Sequence, residues 1–373
     1  MAIGPRRSRP WRTCVMALII ETPEGGDALA EFVRFFDEVY AARAIRWPAL
    51  VPFQLSVLRN QSPFARGRTM RPFVARADGK IVARALAVVD HRYIAHWNEP
   101  LGHINMFEAL PDSRDAVRLL IDRACEWLAE HGLTAARAGF GMLEFPFVID
   151  DYESLPPSIL RQNPAYYHAL LKDAGFESEQ GAVDYKIAAT PELASRWESA
   201  LAAVRRAGFD IVPLKEVPEA TRAPQFTRLW NDAFKGHWGN SPFIEAELEL
   251  LLGRFASPGM IDLTVFAYRG TEPVGVLWVA PEATTSALRK PGRAVRPDER
   301  LNFLGIGVHE SARGRGVNLA MASYAFLELV RRGATHLSYT LVLDDNWPSR
   351  RTAEKLGAQV CANYLAYRRD LRR

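Results

Sequence analysis

Apolar residues recur along this chain in two rhythms. Spacing of three or four positions predicts amphipathic helices, and alternation or a short apolar run predicts strands. Residues 17–20 read as a first strand. Gly25-Gly26 then leads into a helical stretch, 27–43, with Leu29, Phe32, Val33, Phe36 and Tyr40 on one face. Residues 45–71 carry Pro48, Pro52 and Pro63, so irregular chain or short helical pieces are expected there. Asp78-Gly79 separates strand patterns at 72–77 and 80–90, a hairpin signal. A loop holding His91, His96 and His103 is expected next, then a strand at 105–110 and an amphipathic helix at 113–131 that Gly132 ends. Residues 143–163 are acidic, aromatic and proline-containing. Their carboxylates Glu144, Asp150, Asp151 and Glu153 have no spacing that suits a metal or an acid–base pair, so a solvated lid or connecting loop is expected. A short helix to Ala174 and a strand through Tyr185 follow, and an Ala- and Arg-rich helix at 191–207 bridges to the next unit.

The pattern then starts again, with a strand at 209–215 and helices at 218–235 and 242–255. Strand patterns at 262–268 and 272–279 flank Arg269-Gly270-Thr271, and a loop with Pro291 and Pro297 leads to an apolar run at 301–308. A helix at 317–332, an alternating strand at 336–343, a helix from Asn346 to Gly357 and a last strand through Tyr367 complete the chain. Landmarks recur in the same order: hairpin glycines Gly79 and Gly270, helix-ending Gly132 and Gly333, and Asn163-Pro164 against Asn346-Trp347-Pro348. Gly175 and Gly357 each stand ten residues before a strand tyrosine, Tyr185 or Tyr367. Such self-similarity predicts two copies of one α/β unit. The expected organisation is a flexible basic extension at 1–16, a first unit at 17–188, a linker helix at 189–208 and a second unit at 209–373.

Composition changes this picture little. The 373 residues are 48% apolar and 24% charged, as in a globular protein with room for two or three cores. The net charge of +4 is concentrated at the ends: four Arg and no acid in residues 1–16, and four Arg against one Asp in the last six. Removing these contributions of +4 and +3 leaves the body at −3. The basic ends suit contact with an anionic membrane surface, while no basic and aromatic stripe suggests nucleic acid. Cys14, Cys125 and Cys361 are far apart and suggest neither disulfides nor a metal site, which fits a reducing cytoplasm. The apolar run at 14–20 is short for a signal core and lacks a cleavage pattern, and no run is long enough to span a bilayer. The expected location is the cytoplasm, with peripheral contact at the inner membrane.

The chemistry sits at 301–332. An apolar strand ending at Val308 is followed by Arg313-Gly314-Arg315-Gly316-Val317-Asn318 and then by a helix. Glycines admit close approach of a ligand to the backbone, and a helix amino terminus offers unpaired N–H groups and a favourable dipole to an anion. A phosphate or pyrophosphate is the natural guest. The corresponding part of the first unit, 108–113, has no glycine and carries Glu108 and Asp112, which would repel one.

This loop resembles the pyrophosphate loop of the GNAT acyltransferase superfamily, Arg/Gln-x-x-Gly-x-Gly/Ala. Arg313 and Gly316 match, and Asn318 stands where the family prefers a small residue. The whole chain resembles the tandem-GNAT bacterial branch that includes ceramide synthase-like N-acyltransferases. The segments that carry this are Arg46-Trp47-Pro48, Asn60-Gln61-Ser62-Pro63-Phe64, Asn163-Pro164-Ala165-Tyr166-Tyr167, and Asn231 with His237-Trp238-Gly239. The resemblance implies two α/β GNAT-like domains in tandem, each a mixed sheet flanked by helices, with acyl-CoA or acetyl-CoA as co-substrate, no metal, and an amine acceptor.

It also implies that a splayed sheet exposes the Val308 end of its strand to the pantetheine, and that the amides of Arg315, Gly316, Val317 and Asn318 hold the pyrophosphate beside Arg313. Asn346 and Ser349 are expected as a cap and a CoA-side hydrogen-bonding group. The tyrosine that many GNAT enzymes use as an acid falls at Ala353, leaving Tyr339, Tyr364 and Tyr367 as substitutes or as core aromatics. His237 is the first candidate base, with Glu245 and Asp345 behind it. The leading expectation is N-acylation of a long-chain amine such as a sphingoid base. The alternatives are acetylation of a small polar amine and a non-catalytic CoA- or partner-binding module.

Overall fold

The computed structural model describes residues 18–43, 46–47, 49–142, 144–157, 160–255, 260–281 and 302–371. The expected basic extension at 1–16 and the loop with Pro291 and Pro297 lie outside the described residues. The first half contains β1 (Leu18–Glu21), α1 (Gly25–Val39), α2 (Val51–Leu58), β2 (Arg68–Ala77), β3 (Lys80–Asp90), α3 (His91–Trp97), β4 (Leu101–Ala109), α4 (Arg114–Glu130), β5 (Ala135–Ala138), β6 (Phe147–Val148), α5 (Tyr167–Asp173) and β7 (Glu177–Ala188). Next come α6 (Pro191–Arg206), β8 (Phe209–Pro213), α7 (Glu219–Ala233), α8 (Glu245–Phe255) and α9 (Met260–Leu263). The chain ends with β9 (Val265–Arg269), β10 (Glu272–Pro281), β11 (Asn302–Val308), α10 (Val317–Arg331), β12 (His336–Leu343), α11 (Trp347–Lys355) and β13 (Gln359–Asp370).

Local chemistry accounts for these elements. Asp78 and Gly79 both take positive φ, 50° and 81°, the geometry a two-residue hairpin needs to match strand twist. The segment expected as a histidine loop is instead helix α3 and strand β4. The Asp90 carboxylate accepts from the backbone N–H of Arg92 and Tyr93 at 3.0 and 3.1 Å, so it starts α3 directly at the end of β3. His103 lies within β4, fully buried. Residues 260–263 form a helical turn, so the strand expected from 262 begins at Val265.

Among the described residues, nine strands form one sheet in the order β1-β2-β3-β4-β5-β13-β7-β12, with β6 on β13, and β11-β10-β9-β8 form a second. Among the described residues, only the β4–β5 pair is parallel. The two last strands are exchanged between the repeats. β13, from the chain's end, pairs with β5 of the first half, and β7, from the first half, pairs with β12 of the second. The two exchanged strands also pair with each other.

Helix α6, expected as a bridge, buries Trp197, Leu201 and Val204 in the core of the second half. The Trp197 ring lies 5.5 Å from Phe326 of α10, and its Nε1 donates to the Leu356 carbonyl. A further core cluster mixes the halves, joining Phe64, Met142 and Val148 to Phe226, Leu251 and Trp278. No helix among the described residues is long and apolar enough to cross a membrane.

Candidate active site

Strand β11 and the helix it faces explain where a cleft opens. Residues 304–308 read Leu-Gly-Ile-Gly-Val, and the glycine face meets α7. A Cβ on Gly305 would come within 2.6 Å of the Trp230 ring, and one on Gly307 within 2.8 Å of Ala233, so only glycine lets the helix lie this close. On its other side β11 has no backbone ladder to β12, and the two strands belong to different sheets. Side chains join them at one end only. Asn302 brackets Ser338, donating to its carbonyl at 2.7 Å and accepting from its N–H at 2.9 Å, and Thr340 Oγ1 does the same for Leu304. Beyond that clasp the sheet splays towards Val308.

A cavity of about 230 Å³ opens at the splay. Its wall on β12 is the consecutive run 339–343, where a bulge puts Leu341 at φ 46°, a conformation uncommon for a branched residue. Trp230 of α7, Phe234 directly after it, Phe243, Leu251 of α8 and Trp278 of β10 supply an apolar wall. The amino half supplies Phe64, Arg68, Phe140, Met142, Glu144 and Phe145.

The structure brings His237, Tyr339, Asn346 and Ser349 together on this cavity. Tyr339 and Ser349 share a hydrogen bond of 2.9 Å between their hydroxyls, and the Asn346 side-chain Oδ1 accepts from the Ser349 N–H as the cap of α11. Burial pushes the Tyr339 phenol up to about 12, so it stays protonated at neutral pH. Burial moves the His237 imidazole the other way, below its ordinary 6.5, against opposing effects of the Trp238 backbone and Asp345. The neutral, proton-accepting form is therefore favoured at pH 7. Glu245 is exposed at the first turn of α8 and does not line the cavity. Tyr364 and Tyr367 are buried in cores, Tyr367 with its hydroxyl 2.6 Å from His168 Nδ1.

The loop that carries His237 is held by the first half. Trp238 packs at a tilt against Phe140, with ring centres 4.9 Å apart, and the Arg137 guanidinium lies 4.3 Å from the Trp238 ring centre. Trp97 Nε1 donates to the Asn240 carbonyl at 2.7 Å, and Ser241 Oγ donates to Asp90 at 2.9 Å. From α7, the Asn231 amide clamps Phe243 through both its N–H and its carbonyl at 2.9 Å. Beneath lies a buried ion cluster in which Glu247, fully inaccessible, accepts from Arg68 at 2.7 Å and from Arg92 at 2.5 Å, while Arg68 also meets Asp90 at 2.8 Å. Such a cluster is sustained only while every charge keeps its partner.

The glycine loop follows the splay. Gly314 and Gly316 take φ of 75° and 79°, Gly316 caps α10, and the first bond inside the helix runs from the Ala320 N–H to the Gly316 carbonyl. The first-turn N–H groups thus have no intrahelical partner. Arg313 staples the open end, its Nε donating to the Val308 carbonyl and its Nη2 to the Ala233 carbonyl, both at 3.1 Å. Asn318 turns its side chain towards α11: its Nδ2 donates to Thr352 Oγ1 at 2.7 Å, while its Oδ1 accepts from the Leu319 N–H at 2.9 Å.

The corresponding region of the first half is lined by buried charged groups. Glu144 was expected on a solvated loop, yet it is buried, accepting from the Met106 N–H of β4 at 2.9 Å and pairing with Arg161. Burial raises its carboxyl while Arg161 opposes the shift. Glu108, within the strand expected at 105–110 and singled out there as an acid that would repel a pyrophosphate, is buried in β4 and accepts from the hydroxyls of Tyr40 and Tyr167 at 3.0 and 2.7 Å. The sequence reading missed the aromatic wall and Arg68. Trp230 and Phe234, four apart in the sequence, were a usable signal, whereas nothing around Arg68 marked it and Glu144 read as part of a solvated loop.

A splayed sheet, a glycine cradle at the next helix and a cavity between them define an acyl-CoA-dependent N-acyltransferase domain. Residues 223–358 match the Acetyltransferase (GNAT) family, and the first half repeats the same order of strands and helices. The chain is 24% identical over 339 residues to the "Bacterial ceramide synthase" of Caulobacter vibrioides (strain NA1000 / CB15N), covering 83% of this chain and 86% of that one. The fold is similar to a tandem GNAT protein from the clavulanic acid biosynthesis pathway, with TM-score 0.58, 13% identity, and 96% and 99% of the two chains covered. It is also similar to a GCN5-related glucosamine N-acetyltransferase region of a fungal multi-domain GH3 β-N-acetylglucosaminidase. There the TM-score is 0.58 and the identity 16%, and the match covers 95% of this chain and 38% of that one.

Proposed function

We propose that the protein transfers the acyl group of an acyl-CoA to a long-chain amine such as a sphingoid base. The observation that carries the long-chain reading is the apolar wall of the cavity at the splay, formed by Trp230, Phe234, Phe243, Trp278, Met142 and Phe145. Desolvating such a wall favours an alkyl chain, and a small polar amine would leave it unmatched. The similarity to the protein named as a bacterial ceramide synthase points the same way.

In this reading the amides of Arg315, Gly316, Val317 and Asn318 bind the pyrophosphate, Arg313 adds positive charge, and the free edge of β11 towards Val308 aligns the pantetheine. The amine must be neutral to react. Its nitrogen attacks the thioester carbon while His237 accepts its proton, so the C–N bond forms and the C–S bond breaks. A thiol with a pKa near 8.5 is already a fair leaving group. Tyr339, protonated beside Ser349, assists by returning a proton to the departing sulfur. Asn346 fixes Ser349 in this arrangement. Glu245 retains only the role of a favourable charge at the start of α8. The first unit, near 17–188, shapes the acceptor side of the cavity and carries no pyrophosphate cradle of its own.

The test is thiol release from acyl-CoA donors of increasing chain length, acetyl to palmitoyl, with sphinganine or glucosamine as acceptor. The specificity constant is expected to rise with chain length and to require the long-chain amine. Preference for acetyl-CoA with glucosamine, or no release with sphinganine and any donor, overturns the proposal.

A further inference from the structure

A second cavity, of about 200 Å³, lies in the amino half between α1, α2 and β4. It takes the place in the first repeat that the cleft beside α7, α8 and β11 takes in the second, and the two share Met142, Glu144, Phe145 and Leu251 as a common wall. Its ligand cannot be a second acyl-CoA held in the same way, because the turn before α4 has no glycine and Ser113 Oγ is spent on the Leu110 carbonyl at 2.6 Å.

The lining joins aromatic rings, among them Phe36, Trp47 and Phe53, and aliphatic side chains to a set of polar ones. Four of its polar side chains each have a buried atom without a protein partner: the amide oxygens of Gln54 and Asn105, and the Nε of Arg84 and Arg161. Arg84 and Asn105 are each 1% exposed. The orientation of Asn105 is set by its Nδ2 bond to the Met142 carbonyl at 3.0 Å, so its oxygen is the free atom. Two acceptors and two donors left unpaired on side chains that line one cavity call for groups that both give and accept hydrogen bonds. Charge narrows the class further. Arg84 and Arg161 stand against Glu108 and Glu144, so the described lining is balanced and rewards neither an anion nor a cation.

We propose that this cavity is a second ligand site, which takes the neutral, hydroxyl-bearing end of an amphipathic molecule, its hydroxyls on Gln54, Asn105, Arg84 and Arg161 and its apolar part on the aromatic wall. A hydroxyl suits the site because it both donates and accepts. The site does not depend on which amine the neighbouring cleft acylates.

Calorimetric titration of the full chain with 1,2-octanediol tests this, with octanoate and octylamine as charged comparisons of the same length. One diol is expected to bind per chain, with both ions about tenfold weaker or more. Gln54→Leu is expected to weaken the diol about tenfold while CoA binding by the same protein stays unchanged, which also reports that the variant is folded. Absence of diol binding, an ion that binds as tightly as the diol, or a Gln54→Leu variant that binds the diol normally overturns the assignment. The first of these outcomes identifies the cavity as a water-filled void.

Discussion

His237 owes its proposed role to burial. The sequence marked it only as a loop histidine after a first helix, and the structure adds the cavity beside it and a depressed pKa. The sign of that shift sets a prediction. The imidazole is a base only when neutral, and it protonates as pH falls through its lowered pKa. The acid limb of the kcat/KM profile should therefore lie below 6.5 and vanish in His237→Gln, whose rate should fall by about 10² or more. A limb that persists in the variant assigns the base elsewhere. Tyr339, raised to about 12, keeps its proton through the assay range. Tyr339→Phe removes only the hydroxyl bond to Ser349 and should lower kcat about tenfold with little change in KM, as read by thiol release. An unchanged kcat rules the phenol out as the acid. Tyr339, Asn346 and Ser349 were legible because capping and alternation place them. Glu144 was not, since a carboxylate among acids and prolines reads as solvated until its partner Arg161, seventeen residues on, is seen.

At the scale of elements, strand, glycine loop and helix were written plainly in residues 301–332, and β11 and α10 formed where the pattern predicted them. The splay was not legible. It depends on side-chain clasps from Asn302 and Thr340 that substitute for a ladder, and a polar residue inside an apolar strand does not announce which strand it ties. The appearance of α3 in place of a loop has a similar cause, a cap supplied by the last residue of the preceding strand. The buried cluster under the His237 loop provides a test of how α8 is held. Glu247→Gln leaves Arg68 and Arg92 facing each other without their shared carboxylate, and should reduce stability by about 3 kcal/mol in urea unfolding. A loss under about 1 kcal/mol would show that the cluster is solvated in solution.

For the molecule as a whole, the repeat was readable from spaced glycines and tyrosines, but the exchange of final strands was not. β7 and β13 carry the same kind of pattern, and nothing in either says which sheet neighbour it takes. The exchange ties the halves together: without residues 18–188, β12 loses β7 and the His237 loop loses Phe140, Trp97 and Asp90. Residues 189–373 produced alone should therefore be insoluble or lack cooperative unfolding, and co-expression with residues 1–188 should restore a folded complex, as judged by gel filtration and thermal melts. A cooperatively folded 189–373 fragment would contradict this reading. The duplicated fold also sharpens the central claim, that a two-copy protein keeps one CoA site, at Arg313 to Asn318. Calorimetric titration of CoA tests it most directly. One CoA should bind per chain, and Gly316→Trp, at φ 79° on the cradle itself, should abolish binding while the thermal melt stays cooperative. Two CoA molecules per chain, or undiminished binding by Gly316→Trp, would contradict it.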